Sequence, residues 1–244
     1  MRLLAFASRN GKEILRDKLT LFFGIGFPVV LLLLLSAIQA NVPVTLFAVE
    51  NLTPGIAVFG LSFLALFSGL LIAKDRTTAL MQRLFTSPLR PSEFIFGYIL
   101  PLLPMAVAQS ILCFLVALPL GLSLSPRILL VLAVLLPADV LFIALGLLCG
   151  SVFNDKQVGG ICGALLTNLS AWLSGTWFDV SLVGGVFETI ADLLPFCHAV
   201  EAGRAALCGN FSGIFPHLWW VIGYAAALSL IAIWAFTKKL KSDA

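Results

Sequence analysis

The sequence predicts an all-α polytopic membrane protein with six transmembrane helices, and three observations predict it. Hydrophobic residues make up 60% of the chain and charged ones only 11%, with a mean hydropathy of +1.07; a soluble domain carries about 25% charge. Six segments each supply the roughly 20 largely apolar residues that a span requires: 19–39, 53–73, 94–122, 128–152, 158–178 and 216–236. Lys and Arg divide unevenly between the two sets of connections. Residues 1–18 hold five, 74–93 four, 153–157 one and the tail beyond 236 three, while the other loops hold only Arg127 and Arg204. Thirteen against two places both termini in the cytoplasm, and an even number of spans requires both ends on one side. The spans occupy most of the 244 residues, so residues 1–244 form a single transmembrane domain. The net charge of +3 is small and gives no reason to expect a nucleic-acid partner.

Before the first span, Leu4, Ala7, Gly11, Ile14, Leu15 and Leu19 recur at helical spacing, with Arg9, Lys12, Glu13 and Arg16 on other faces. The pattern predicts an interfacial helix in contact with membrane lipid, or a basic flank that only sets orientation. It is not a cleavable signal, because 18 polar-rich residues precede an apolar stretch longer than a signal core. Between the second and third spans, residues 74–97 predict a short basic amphipathic helix on the cytoplasmic face. Leu80, Met81, Leu84 and Phe85 lie on one side of it, with Arg76 and Arg83 elsewhere. Asp75 is placed to cap its start and Ser87-Pro88 to end it.

The third span carries Pro101, Pro104 and Pro119 and should be kinked. Asp139 falls mid-way along the fourth. A carboxylate at that depth costs about 2.5–3.5 kcal/mol on insertion scales, so it should face the bundle and find a partner; Gln109 and Asn168 are the polar candidates. It serves either a polar substrate or coupled proton, or an interhelical hydrogen bond. The external segment 179–215 is too long for a turn. Val183, Val186, Phe187, Ile190, Leu193 and Leu194 form an apolar stripe opposite Glu188 and Asp192. Pro195 then interrupts, and a second stretch, His198 to Leu207, spaces Glu201 and Arg204 to pair. Two external re-entrant half-helices are expected, roofing the bundle.

Trp172, Trp177, Trp219 and Trp220 suit an aromatic belt at external span ends. His198 and His217 are read as interface or capping residues. No metal site is expected, since the five cysteines form no ligand pattern. Cys113, Cys149 and Cys162 lie in spans, whereas Cys197 and Cys208 share an external loop, where an oxidising compartment would permit a disulfide. No GxxxxGK[ST] phosphate loop occurs, so the chain carries no ATP site of that kind. Trp172-Leu173-Ser174-Gly175 with His198 departs from the intramembrane GxSG turn of rhomboid proteases, which leaves no catalytic assignment.

Segment 75–97 resembles the inner-loop motif of the type-2 ABC exporter permeases, roughly ERExGTLExLxxTPLSxxExxxGK. Asp75 stands at the family Glu, with Arg76, Arg83, Leu84, Pro88, Leu89, Glu93 and Gly97 in step; Thr77, Ala79 and Gln82 depart from it. Ser174-Gly175-Thr176-Trp177-Phe178, Leu193-Leu194-Pro195-Phe196, Ala199-Val200-Glu201-Ala202 and Arg204 resemble the family's SGxxFP…LLPLTYAVEALR stretch, with Asp179 and Cys197-His198 as departures. The resemblance covers the whole chain.

The resemblance implies a permease subunit of the bacterial cytoplasmic (inner) membrane that exports an amphipathic substrate. Its implied partners are a dimer of ABC ATPase subunits, which holds ATP and magnesium, and a second permease, identical or a paralogue. This chain would hold no cofactor of its own. Asp75, Arg76, Arg83, Pro88 and Leu89 would couple it to the ATPase. Phe63, Phe67, Asn168, Trp172 and Thr176 on the second and fifth spans would line the pathway, and Pro195, Glu201 and Arg204 would form an external gate. A self-contained carrier or channel centred on Asp139 is the alternative, although paired broken helices in an internal repeat are missing. The substrate, the choice between homodimer and heterodimer, and the role of Asp139 stay open.

Overall fold

The computed structural model describes residues 2–42, 47–78 and 91–242. Among them every regular element is helical. The amphipathic α1 (Arg2–Arg16) comes first, and Asp17 turns the chain by accepting from the backbone N–H groups of Leu19 and Thr20. These are two of the orphan donors at a helix start. α2 (Lys18–Gln39) follows, with a π-helical turn at Phe22–Gly26. Next come α3 (Val49–Arg76), α4 (Pro91–Ala117) and α5 (Arg127–Val152). A capping box of Asn154 and Gln157 starts the next run. This is α6, residues 155–173, composed of Asp155–Val158, a π segment at Gly159–Leu166 and Thr167–Leu173. α7 (Gly185–Leu193), α8 (Pro195–Cys208) and α9 (Phe211–Ser242) complete the order.

Among the described residues five helices, α2, α3, α4, α5 and α9, are long and apolar enough to cross a bilayer. The expected fifth span, 158–178, is displaced: its helix starts at Asp155 and stops at Leu173. Residues 174–178 form a turn in which Gly175 takes a positive φ of 71°, a region that favours glycine. α4 ends at Ala117, so Pro119 lies in the following turn, while Pro101 and Pro104 sit inside the helix. At about 14 and 21 Å, α7 and α8 are too short to span, as their composition predicts.

α3 is the hub. In its most apolar stretch 78% of residues are buried, against 17% in α2 and 22% in α9, so α3 is central and the other two face outward. Its tightest neighbour is α5. A Cβ on Gly146 would overlap the Ala65 carbonyl oxygen and the Ser68 hydroxyl, and one on Gly150 would overlap the Gly69 carbonyl. Ser68 Oγ donates to the carbonyls of Ala65 (2.9 Å) and Ile143 (3.1 Å). Small residues spaced four apart let two backbones meet, which is how helices associate where lipid removes the hydrophobic drive. Both π segments also touch α3.

Cys197 and Cys208 cannot pair: both lie on α8, eleven residues and about 16 Å of rise apart, and a disulfide needs Cα atoms within about 7 Å. Both thiols are free, and burial pushes Cys197 up to about 11. The apolar stripe of α7 points out of the bundle, with Val186, Ile190 and Leu193 exposed, as is Val183 just before the helix; only Ala191 is fully buried on α7.

Candidate functional site

At the end of the bundle that carries α1, four elements meet on the last turn of α3. Asp75 is 1% exposed and accepts two bonds from Arg9 of α1, to Oδ2 at 2.7 Å and Oδ1 at 3.0 Å. The Tyr98 hydroxyl of α4 donates to it at 2.9 Å. Arg9 also pairs with Glu13 at 2.7 Å. One residue along each helix, Asn10 Nδ2 donates to the Gly97 carbonyl at 3.1 Å. Phe6 packs edge-on against Phe94 and Tyr98, over Gly97, where a Cβ would collide with its ring. The neighbouring Arg76 turns the other way, donating to the carbonyls of Gly150 (2.8 Å) and Phe153 (3.4 Å) at the end of α5. A cation there meets the negative end of the helix dipole.

Asp75 is thus an internal tie. It lies within α3, whose C-cap is Thr77, and does not start a following helix among the described residues. Arg83, Pro88 and Leu89, with the rest of 79–90, lie outside the described residues. Of the residues completing the tie, the sequence marked only Arg9, as part of a polar face; Asn10 and Tyr98 carried no reading of their own. Their one signal was that Tyr98 follows Gly97, the last matched position of the inner-loop motif.

Half-way along, Asp139 is buried as expected, but neither proposed partner reaches it. Its Oδ1 and Gln109 Oε1 are both buried with no hydrogen-bond partner among the described residues. Gln109 instead donates to the Ala57 carbonyl of α3 at 3.2 Å, and Asn168 is exposed, donating to Ala164 of its own helix. Phe63 joins Phe23, Phe27 and Phe59 in an aromatic cluster with centroids 5.2–6.3 Å from its own. Phe67 lies one turn of α3 beyond it, half-buried beside Gly24. Trp172 is exposed. Thr176 is buried, in contact with the Ser174 hydroxyl (2.7 Å) and the Gly55 carbonyl (3.3 Å). Of the five residues named for a pathway, Phe63 and Phe67 are half-buried, Asn168 and Trp172 are exposed, and Thr176 is buried. Trp177 is half-buried and packs edge-on against Phe59, 5.4 Å away.

At the far end the second motif closes on itself. Arg204 pairs with Glu201 at 2.7 Å and donates to the carbonyls of Gly175 (2.9 Å) and Asn51 (3.1 Å), tying α8, the 174–178 turn and the start of α3. Pro195 is the first residue of α8, where its missing N–H costs nothing. Arg127, the other basic residue of that side, donates to the Cys208 carbonyl at the end of α8 (3.1 Å). His198 and His217 meet Nδ1 to Nδ1 at 2.8 Å, with the His198 Nε2–H on the Asp192 carbonyl (2.7 Å). His198 thereby ties the end of α7 to α9, in the capping sense expected. Trp220 and Tyr224 of α9 both donate to the Leu193 carbonyl.

Arg204→Ala should loosen this cap by about 2–3 kcal/mol, the range for losing charged hydrogen bonds, and raise amide exchange at 174–178. Arg204→Lys should recover less than half of the protection, since a point charge cannot bridge three acceptors. Unchanged exchange in Arg204→Ala would show that the tie is dispensable.

The family model described as ABC-2 type transporter matches residues 1–208, from α1 through α8. No curated protein matches the chain.

Proposed function

The chain belongs to the ABC-2 type transporter family, so it is a membrane permease component of an ABC transporter; from that premise we propose that it exports an amphipathic substrate with energy from a separate ATPase. In this reading both termini and α1 face the cytoplasm of a bacterial cell. The run 155–173 serves as the fifth of six spans, and α7 and α8 close the external end. A second permease subunit completes the pathway along the outward faces of α3 and α6. ATP and magnesium belong to the ATPase dimer, which docks on residues 79–90.

The observation that carries the mechanism is the tie at the base of α3. In the sequence residues 79–90 connect α3 to α4, and the flanking ends of those helices share the Asp75–Tyr98 bond. At the same end of α3, Asp75 holds Arg9 of α1 and Arg76 holds the Gly150 carbonyl of α5. A push delivered on the segment would reach four helices together, because packed, hydrogen-bonded elements move as bodies. The tight α3–α5 seam would then carry it along the bundle toward the cap held by Arg204. The carrier reading centred on Asp139 is not favoured by the family, and Gln109 and Asn168 do not complete a polar site with it.

Purification of the chain from its native membrane in mild detergent should recover a stoichiometric ATP-hydrolysing subunit. Arg83→Glu should abolish both that recovery and transport while leaving membrane insertion intact. Normal transport by Arg83→Glu would refute the coupling assignment, and a chain that purifies alone would refute the partnership.

A further inference from the structure

Beside the base of α3, the elbow between α1 and α2 leaves a notch of about 460 Å³, a volume within the usual range of ligand sites. Arg16 and Lys74 stand at its mouth, and Leu19, Phe67, Leu70 and Leu71 line its wall. Its two acids are already engaged. Glu13 is paired with Arg9, and Asp17 accepts from Thr20 Oγ1 at 2.8 Å and from two backbone N–H groups. The Thr20 hydroxyl foremost, with Lys74 adding a smaller pull, holds the Asp17 carboxyl below its ordinary range. Arg16 and Lys74 are exposed and have no ion-pair partner among the described residues.

The two chemistries are stacked along one axis. From Lys74 to Phe67 is seven residues of α3, about 10 Å of rise, which matches the distance from the headgroup layer into the acyl region. The apolar wall is partly open: Leu19 is exposed, and Phe67, Leu70 and Leu71 are only half-buried. A soluble anion would satisfy the mouth and leave that wall wet. A neutral apolar molecule would leave Arg16 without an ion-pair partner and Lys74 with only the distant pull of Asp17.

The geometry points to this notch as a binding site for an anionic phospholipid, with Arg16 and Lys74 on the phosphate and Phe67, Leu70 and Leu71 along an acyl chain. The lipid bridges α1 and α3 beside the Arg9–Asp75 tie and so steadies the elbow from the membrane side. Its assignment to the cytoplasmic leaflet rests on the topology proposed above.

The test is thermal unfolding and native mass spectrometry of the full chain in detergent, titrated with phosphatidylglycerol or with phosphatidylcholine of the same acyl chains. The wild type should retain one phosphatidylglycerol and gain more stability from it than from phosphatidylcholine. Arg16→Gln and Lys74→Gln should each weaken that binding about fivefold, on the order of 1 kcal/mol per basic residue, with the phosphatidylcholine response unchanged. Lys12→Gln removes the same charge outside the notch and should have little effect. Leu70→Trp should fill the wall and displace the lipid with both cations present.

Equal responses to the two lipids in the wild type would overturn the proposal. So would equal losses in Lys12→Gln and Lys74→Gln, which would indicate a diffuse field instead of a site. An equal shift from glycerol phosphate alone would also overturn it, because the acyl wall would then be idle. None of these readouts uses ATP or cargo, so their failure leaves the permease assignment untouched.

Discussion

Gly146→Val is expected to abolish accumulation of folded protein. At this position α3 and α5 approach until only a hydrogen fits: a Cβ would overlap the Ala65 carbonyl oxygen and the Ser68 hydroxyl. A flexible side chain can swing away from such a clash, but a backbone carbonyl held in a helix cannot. The two helices would have to separate along the seam that also contains Gly69 and Gly150. Separation would break the Ser68 bond to Ile143 and draw the Arg76 guanidinium off the end of α5. Overpacking a close core costs about 1–3 kcal/mol where side chains can adjust, and here the obstacle is main chain, so the cost should exceed that range. Gly159→Val is the matched control, since no atom beyond its own stretch of helical backbone lies within 4 Å of its added Cβ. Monodisperse yield in detergent separates the two: loss for Gly146→Val, near-normal recovery for Gly159→Val. Comparable yields would mean that the α3–α5 seam is looser than described.

Arg9→Ala should be markedly more damaging than Asp75→Asn, although both break the same ion pair. Removing Arg9 leaves the Asp75 carboxylate buried with Tyr98 as its remaining donor, and an uncompensated buried charge costs about 3–5 kcal/mol. Asp75→Asn leaves a neutral amide that still accepts from Tyr98. It releases an Arg9 side chain that is 38% exposed and already paired with Glu13, so water can take it up for about 1 kcal/mol. The double variant should therefore be more stable than Arg9→Ala alone, a rescue that additive losses cannot produce. Thermal unfolding of the four proteins in one detergent measures the cycle. If the double variant is the least stable of the four, Asp75 is hydrated and the tie carries little. Transport should follow the same order, since α1 is released from the base of α3 most completely in Arg9→Ala.

Much of the fold was legible because a bilayer allows few solutions. Backbone groups in lipid must be satisfied within helices or closed barrels, so long apolar runs declared α2, α3, α4, α5 and α9 outright. Elements near an interface were harder. The run 155–173 ends five residues earlier than its apolar stretch suggested, because Ser174, Gly175 and Thr176 form a turn docked against Gly55 and Arg204. Apolar content does not distinguish a span residue from a buried turn residue. The α7 stripe was read correctly as amphipathic, but periodicity cannot say whether a stripe meets protein or membrane when both are apolar.

Polar partners divided by sequence separation. Glu201 and Arg204 pair at helical spacing and were predictable; Asp75 with Arg9, 66 residues apart, was not. Asp139 shows the same limit from the other side, since its burial could be foreseen while its expected partners went elsewhere.

By itself, then, the sequence determined a polytopic helical membrane protein, an amphipathic lead-in helix and an Arg204–Glu201 pair, because each follows from local composition or short spacing. Only the tertiary structure decided that α3 is the hub, that Asp75 and Arg76 tie four helices at its base, and that Cys197 and Cys208 stay apart. Those outcomes depend on which helices approach closely enough for one glycine or one guanidinium to matter, and that distance is a property of the packed bundle.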